Sequence, residues 1–210
     1  VELSSTPDST TAQQALINQA QSLAKGFNDF SKLLNDLRNE AQSNIADEVS
    51  SLNDTLKQIA EFNKRISTLQ NTGQSTATLE DQRDSLVKKV AGSLEVSYYT
   101  DGDGILVLQT KTGQALVDSS AHELVFDKAV LTPASTYPTT LNGLVLKGAN
   151  SQSDVDLTTQ AIGGKLGALL SLRDKELPNY NAQLDELAHK IATRFDDQNV
   201  RLFTDSTGVV

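Results

Sequence analysis

Residues 10–71 read TTAQQALINQAQSLAKGFNDFSKLLNDLRNEAQSNIADEVSSLNDTLKQIAEFNKRISTLQN, and this stretch decides the fold. Its apolar side chains recur at intervals of three and four residues, which alternate except around Ala41, Ile45 and Val49, and this lays a narrow apolar stripe along one side of a helix. Asn63 occupies a core position of the same stripe. Such a stripe needs partner helices to cover it, so the pattern predicts one long helix within a helical bundle. The stripe comprises Leu23, Phe27, Phe30, Leu34, Leu37, Ala41, Ile45, Val49, Leu52, Leu56, Ile59 and Ile66.

Nothing within this stretch forces the helix to break. No proline lies between Pro7 and Pro133, and Gly26 is the only glycine in the stretch. At 1.5 Å per residue, about 60 helical residues span roughly 90 Å. The sequence therefore predicts an elongated rod, preceded by an extended lead-in at residues 1–9 from which Asp8 or Ser9 caps the helix.

A second, shorter helix is predicted at about residues 78–92, after a turn around Gly73. Thr78 has the character of an N-cap, with carboxylates in the first helical turn where they suit the helix dipole. One face of this helix is apolar, and its length suits an antiparallel return along the end of the first helix. The apolar face comprises Leu79, Leu86, Val87 and Val90.

After Gly92 the hydrophobic period changes from that of a helix to that of a strand. Apolar and polar residues alternate through 94–98, DGDG follows at 101–104, and another β-rich run follows at 105–109, which together predict a hairpin. Further short strands are predicted at 115–118, 123–126, 144–146 and 155–157, and residues 131–140 are loop by composition.

Helix returns after Gly163 and Gly164, and Pro178 is expected to end or kink it. The run that follows is again spaced by threes and fours, and it is the expected partner of the first helix: Leu177, Tyr180, Leu184, Leu187, Ile191 and Phe195. The predicted fold class is α+β, an elongated bundle or coiled-coil rod of long antiparallel helices with a small β insertion. Residues 1–92 plus 163–210 form the predicted helical rod domain, and residues 93–162 form the inserted β-rich domain.

Composition excludes several classes of function. The 210 residues carry a formal net charge of −9, and the 18 basic residues are scattered, which argues against nucleic-acid binding. No apolar run approaches 18 residues, so no membrane insertion is expected. Cysteine is absent, which removes disulfides, thiolate nucleophiles and cysteine-ligated metals.

The candidate chemical motifs favour ordinary structural interpretations. Asp101 and Asp103 resemble the start of a calcium loop, but the twelfth position is Thr112 and not the glutamate such a loop requires, so a hairpin turn is favoured. His189 follows Asp185 by four residues but lies off the apolar face, and His122 has no evident partner. No hydrolase or nucleotide-binding motif is present. We therefore expect no catalytic residues, no cofactor-binding residues and no metal ligands, and a protein that is not an enzyme.

Four segments of the chain resemble one known family. They are STPDSTTAQQALINQAQSLAKGFN at 5–28, VSSLNDTLKQIAEFNKRI at 49–66, LEDQRDSLVKKVA at 79–91 and GGKLGALLSLRDKELPNYNAQLDELAHKIA at 163–192. These segments resemble the flagellar hook-associated proteins of the hook–filament junction, the FlgK family. They cover both helical flanks, whereas FDDQNVRLFTDSTG at 195–208 departs from the family pattern. The chain looks like a central fragment that lacks the terminal segments.

The resemblance implies a non-enzymatic structural subunit of the bacterial flagellum that joins hook to filament and supports flagellum assembly and motility. It implies export through the flagellar type III secretion channel to an extracellular position, and self-assembly into a ring that contacts the hook protein and the next junction protein. It also implies an export chaperone that binds a C-terminal region outside this fragment. The alternative is a non-enzymatic coiled-coil binding module, such as a secretion-apparatus tip, a phage tail component or a sensor domain.

Overall fold

A computed structural model describes residues 8–148, 153–160 and 162–204 of the chain. The predicted lead-in at residues 1–9 lies outside the described residues except for Asp8 and Ser9. The helices are α1 (Thr10–Asn71), α2 (Ala77–Ser93), α3 (Gly164–Ser171) and α4 (Leu177–Asp196), with a π-helical turn at Leu172–Glu176 between α3 and α4. The strands are β1 (Val96–Thr100), β2 (Leu106–Thr110), β3 (Ala115–Val117), β4 (Leu124–Phe126), β5 (Leu144–Leu146) and β6 (Val155–Asp156).

The structure confirms the α+β class and most of the predicted elements. The long helix covers residues 10–71 as predicted, and each predicted strand has a counterpart within two residues of its expected position. Ser9 caps α1, since its hydroxyl accepts the Ala12 amide at 3.3 Å. No helix in the described part of the chain combines the length and the apolar character needed to cross a bilayer.

The chain divides into two compact units, Val1–Leu37 with Glu176–Val210 and Arg38–Lys175. We call them the flanking unit and the central unit. Helix α1 contributes residues to both. The predicted division into a helical rod domain (1–92 plus 163–210) and an inserted β-rich domain (93–162) concerns independently folding segments, and it stays a prediction.

The central unit contains two three-stranded antiparallel sheets. One sheet has the order β1-β2-β3 and the other β4-β5-β6. In the first hairpin Val96 pairs with Thr110 and Thr100 with Leu106, so the DGDG sequence forms the connection. Leu106, Leu108 and Thr110 are buried and alternate with half-buried neighbours, which is the period of two expected of a strand with one covered face.

One apolar core joins these sheets to the helices of the central unit. The second part of the predicted stripe lies inside this core, as do side chains of α2, α3 and both sheets. The fully enclosed members include Ile45, Leu56, Ile59, Val90, Leu108, Leu116, Leu144, Leu157 and Leu166. The stripe of α1 is therefore covered here by strands as well as by helices.

The start of α3 requires glycine. Gly164 has a φ of +60°, a conformation that other residues rarely adopt. A Cβ atom at this position would lie 2.7 Å from the backbone carbonyl of Ser93, at the end of α2. The GGKLG sequence thus permits a close backbone approach between α2 and α3.

The flanking unit pairs the beginning of α1 with α4. The Ser31 hydroxyl donates to the side-chain oxygen of Asn181 at 3.0 Å, and Leu34 and Leu177 are buried. The beginning of α1 therefore lies in one unit with α4, the helix that the sequence predicts as its partner. Its buried apolar side chains are few, and in the described residues they are Ala20, Leu34 and Leu177.

The structure corrects the register of the first part of the stripe. Phe27 is half-buried and Leu34 is buried, but Leu23, Phe30 and Leu37 are exposed. The inward face at this end of α1 includes the small residues Ala20 and Ala24 instead. The spacing of large apolar side chains does not reveal this face, because alanine is small and is common on both the buried and the exposed faces of helices.

The predicted face of α4 is corrected in the same way, since Tyr180 and Leu187 are exposed. One local prediction also changes: helix α2 begins at Ala77, so the flanking residue is Thr76 and not Thr78. The interruption expected at Pro178 is present as a π-helical turn that precedes it, and the proline itself lies in the first turn of α4, where the missing amide hydrogen is tolerated.

Candidate functional site: side-chain anchors and exposed apolar surfaces

The residues considered as calcium ligands form a turn. One side-chain oxygen of Asp101 accepts the backbone amides of Asp103 at 3.0 Å and Ile105 at 2.9 Å. Thr112, at the position where a calcium loop needs glutamate, binds Gln160 and Thr110 through its hydroxyl. The predicted hairpin turn is confirmed.

The two histidines lie in different settings. His189 is exposed on α4, as predicted, and the Asp185 carboxylate accepts a hydrogen bond from Asn181 at 3.2 Å. His122 has a partner that sequence reasoning missed, because its Nε2 lies 2.9 Å from the Asp118 carboxylate, four residues earlier. The described residues contain no group of three or more acidic or histidine side chains placed to hold a metal ion.

The Asp118 carboxyl is held in its charged form. Burial alone would raise its pKa, but hydrogen bonds from His122 and Ser120 outweigh burial and lower it. The backbone carbonyl of Asp118 also accepts a hydrogen bond from Asn63 at 3.0 Å. This pair therefore supports the segment between β3 and β4.

Three carboxamide side chains on α1 each bind both polar groups of one backbone residue. Gln42 binds the amide and carbonyl of Ala129 at 3.1 and 2.8 Å. Asn53 binds those of Leu124 at 2.9 and 2.8 Å, and Asn63 binds those of Leu106 at 3.0 and 2.8 Å. A carboxamide offers one acceptor and one donor group, as a peptide group does, so each side chain pairs as a strand would. We call these three residues the amide anchors.

The spacing of the amide anchors follows from helix geometry. They are eleven and ten residues apart, close to three turns of 3.6 residues, so they lie on one side of α1. Asn63 is 1% exposed and also accepts a hydrogen bond from Arg83 at 2.9 Å, which in turn donates to the Gly104 carbonyl at 2.9 Å. The anchors thus fix the position of α1 against three separate backbone segments of the central unit.

Arg38 is a fourth anchor and binds three backbone carbonyls. Its guanidinium donates to Arg173 at 3.0 Å, Thr132 at 3.1 Å and Ser135 at 2.8 Å. Arg38 is buried, and burial lowers its pKa although Asp174 acts in the opposite direction. Together with Gln42, it holds the loop of residues 127–140 against α1.

Glu48 connects three helices of the central unit. Its carboxylate accepts hydrogen bonds from the Ser93 hydroxyl at the end of α2 and from the Lys165 ammonium in α3, the latter at 2.5 Å. Burial by itself raises the pKa of Glu48, but the hydrogen bonds from Lys165 and Ser93 and the charge of Lys165 lower it below its usual value.

Sequence reasoning placed Asn63 in the core but missed the other anchors. Arg38 follows the buried Leu34 by four residues, and Gln42 follows Arg38 by four, so both lie on the buried side of the helix. Reading that period through every residue type, and not only through apolar ones, would have marked both as buried.

The exposed apolar side chains are concentrated in the flanking unit. Leu23, Phe30, Leu33 and Leu37 lie within one arc of α1 and are between 39% and 50% exposed. We call them the outer stripe. A cavity of about 510 Å³ in the same unit is also bordered by Leu23, together with Phe27, Ile191 and Phe203, among other residues. Clustered exposed apolar side chains are typical of protein–protein contacts.

Comparison with known proteins identifies one family. Residues 1–205 match the model of a family described as "Flagellar hook-associated protein FlgK helical domain". The chain is 28% identical over 203 residues to Flagellar hook-associated protein 1 of Salmonella typhimurium, which covers 95% of this chain and 35% of that protein. It is 26% identical over 201 residues to the protein of the same name from Escherichia coli, covering 94% and 36%.

A relative that matches over a shorter stretch is Flagellar hook-associated protein 1 of Bacillus subtilis, which is 28% identical over 107 residues, 50% of this chain and 21% of that protein. The chain spans about a third of the length of the Salmonella and Escherichia relatives. Because the family model covers nearly every residue, the chain belongs to the FlgK family of flagellar hook-associated proteins and corresponds to its helical domain.

Proposed function

We propose that this chain is part of a structural subunit at the junction between the flagellar hook and filament, and that it acts by packing against neighbouring subunits. The observation that carries the proposal is the match to the FlgK helical domain across residues 1–205. The outer stripe supports the packing role, because a subunit that works through lateral contacts needs apolar surface that its own chain leaves uncovered.

The partners follow from the same proposal. Copies of the full protein form a ring, and its faces contact the hook protein and the next junction protein. The subunit leaves the cell through the flagellar type III secretion channel and works extracellularly, and an export chaperone binds a C-terminal region outside residues 1–210. The chain carries out no catalysis. No observation favours the alternative of a sensor, phage tail or secretion-tip module.

Deletion of the gene tests the proposed role. Cells without the protein should keep their hooks but release flagellin monomers into the medium, because the filament has nothing to attach to. Normal filaments on the deleted strain would overturn the proposal.

Complementation with full-length variants then tests the outer stripe. Phe30→Asp places a charge in the stripe, whereas Gln21→Asp places the same charge at another exposed position of α1. We expect the Gln21 variant to restore filaments and the Phe30 variant to be secreted but to restore few. Equal restoration by both would remove the stripe from the subunit contacts.

A further inference from the structure

The central unit contains a second cavity, with a volume of about 440 Å³. The described residues that border it all belong to the central unit. The loop of residues 127–140 contributes Tyr137, residues 158–163 form a second wall, and α3 with the turn after it forms a third. The volume lies in the range of about 300–1,000 Å³ that is usual for small-molecule sites in proteins.

Gly167 borders this cavity, and neither its backbone nor its packing requires a glycine. It lies in the middle of α3 and is not among the glycines with positive φ. A Cβ atom at this position would lie 3.7 Å from the side chain of Ile162, which is an ordinary van der Waals contact. Glycine is less favourable than alanine inside a helix, so the fold gains nothing from it. Glycine does let a bound molecule approach the backbone closely.

Several polar groups at the cavity are not used by the fold. Among the described residues, the side chains of Thr159, Ser171 and Lys175 make no hydrogen bond or ion pair. The two oxygens of the Asp174 carboxylate accept hydrogen bonds from Arg173 at 2.7 and 2.8 Å, and each has a further lone pair. The cavity therefore offers hydroxyl groups, one ammonium donor and one carboxylate acceptor to a ligand.

The cavity also has an oriented aromatic ring and a small apolar surface. The hydroxyl of Tyr137 donates to the Asp156 carboxylate, which fixes the direction of the half-buried ring. The buried side chains of Ile162 and Leu170 lie in the opposite part of the lining sequence, on the segment before α3 and on α3 itself. Apolar surface with a few polar groups that fix orientation is the usual composition of a ligand site.

The charges around the cavity favour a neutral ligand. Lys175 and Arg173 balance Asp174 and Asp156, so no excess positive charge attracts an anion such as phosphate. Within the described residues no group of three or more acidic or histidine side chains is placed to hold a metal ion. A wholly apolar ligand would leave the free hydroxyl groups unpaired.

We propose that this cavity binds a neutral sugar of one or two rings. The hydroxyl groups of a sugar both donate and accept, so they match the free groups of Thr159, Ser171 and Lys175. The ring of Tyr137 covers the apolar C–H face of the sugar, and Gly167 leaves room for its edge. This binding activity is distinct from subunit packing, since the outer stripe lies in the flanking unit.

An NMR titration of the isotope-labelled 210-residue chain tests the proposal. The probes are glucose, galactose, N-acetylglucosamine, maltose and lactose, each added separately. We expect at least one of them to cause saturable chemical-shift changes in the amides of residues 158–163 and 167–175. Absence of saturable changes with every probe, or changes confined to other parts of the chain, would overturn the proposal.

Gly167→Ala separates a ligand site from a structural glycine. We expect this variant to raise the melting temperature by about 1–4 °C, as alanine does within a helix, and to weaken sugar binding by about tenfold, because the methyl group takes space from the ligand. Ser171→Ala should weaken binding by about two- to tenfold through the loss of one hydrogen bond.

Gly26→Ala is the matched control, because Gly26 lies inside α1 with no atom within 4 Å of an added Cβ. It should raise the melting temperature to a similar extent and leave sugar binding unchanged. Unchanged affinity in the Gly167 variant would overturn the proposal. A lower melting temperature of that variant would do the same, because it would show that the fold itself requires the glycine.

Discussion

The central and flanking units use the same long helix in different ways. Within the central unit, the stripe of α1 from Ala41 to Ile66 is buried, and three carboxamides and an arginine bind the surrounding backbone. Within the flanking unit, the outer stripe is exposed and few apolar side chains are buried. One helix thus has a part whose apolar face is covered by its own chain and a part whose apolar surface is available to a partner.

This difference bears on stability and function together. Burial of apolar area is the main favourable term in folding, so the central unit carries most of the stability of the isolated chain. Regions with few buried apolar contacts open at lower free energy, and interaction surfaces are commonly drawn from them.

Leu56→Asp should have the largest effect. Leu56 is fully buried in the core of the central unit, and an unpaired charge there costs several kcal/mol or more. We expect loss of the cooperative thermal transition measured by circular dichroism. The matched variant Leu33→Asp, in the outer stripe, should retain it, and an unchanged melting temperature for the Leu56 variant would contradict the assigned register of α1.

Asn63→Leu should have the next largest effect. The change leaves both backbone groups of Leu106 and one donor of Arg83 without the hydrogen bonds they make in the folded state, and each unsatisfied buried group costs about 1–3 kcal/mol. Chemical denaturation should show a clear loss of unfolding free energy. Asn53→Leu, at a half-buried position, should cost less, and the reverse order would contradict the role given to burial.

Acid should destabilise the chain partly through Glu48. Its pKa is lower in the folded state, so its contribution is present above the pKa of the unfolded chain and is lost as pH falls through the folded value. Between pH 7 and pH 3 the melting temperature of the Glu48→Gln variant should therefore fall less than that of the unchanged chain. The difference should be about a few degrees, the size expected from one carboxyl group. An identical fall in the variant would show that the carboxylate makes no such contribution.

Leu33→Ser should have the smallest effect on the isolated chain. Leu33 is 50% exposed, and substitutions at exposed positions usually change the free energy of unfolding by about 0.5 kcal/mol or less. In the full-length protein the same change should weaken filament attachment. A large loss of stability in the isolated chain would mean that the outer stripe is covered by the chain itself.

The helices and strands can be predicted from sequence because the spacing of apolar residues depends only on neighbouring positions in the chain. The alternation of threes and fours located α1, and the Asp-Gly pairs located the first hairpin. Asn63 could be placed because it interrupts an otherwise apolar series. These predictions required no knowledge of which distant segments meet.

The anchors could not be predicted in full because their partners are backbone groups far along the chain. Gln42 binds Ala129 and Arg38 binds Thr132, and no pattern in sequence joins such positions. The outer stripe was misassigned for a related reason. Leu23 and Phe30 have the spacing of core residues, but spacing alone does not say whether the covering partner belongs to the same chain.

Hydrogen exchange of the isolated 210-residue chain tests the central claim most directly. We predict that the amides of Ile45–Ile66 exchange at least about 100-fold more slowly than those of Ala12–Leu33 within the same helix, because only the former lie against a continuous core. Equal protection along the whole of α1 would contradict the claim that its own chain supports one part of the helix much more than the other.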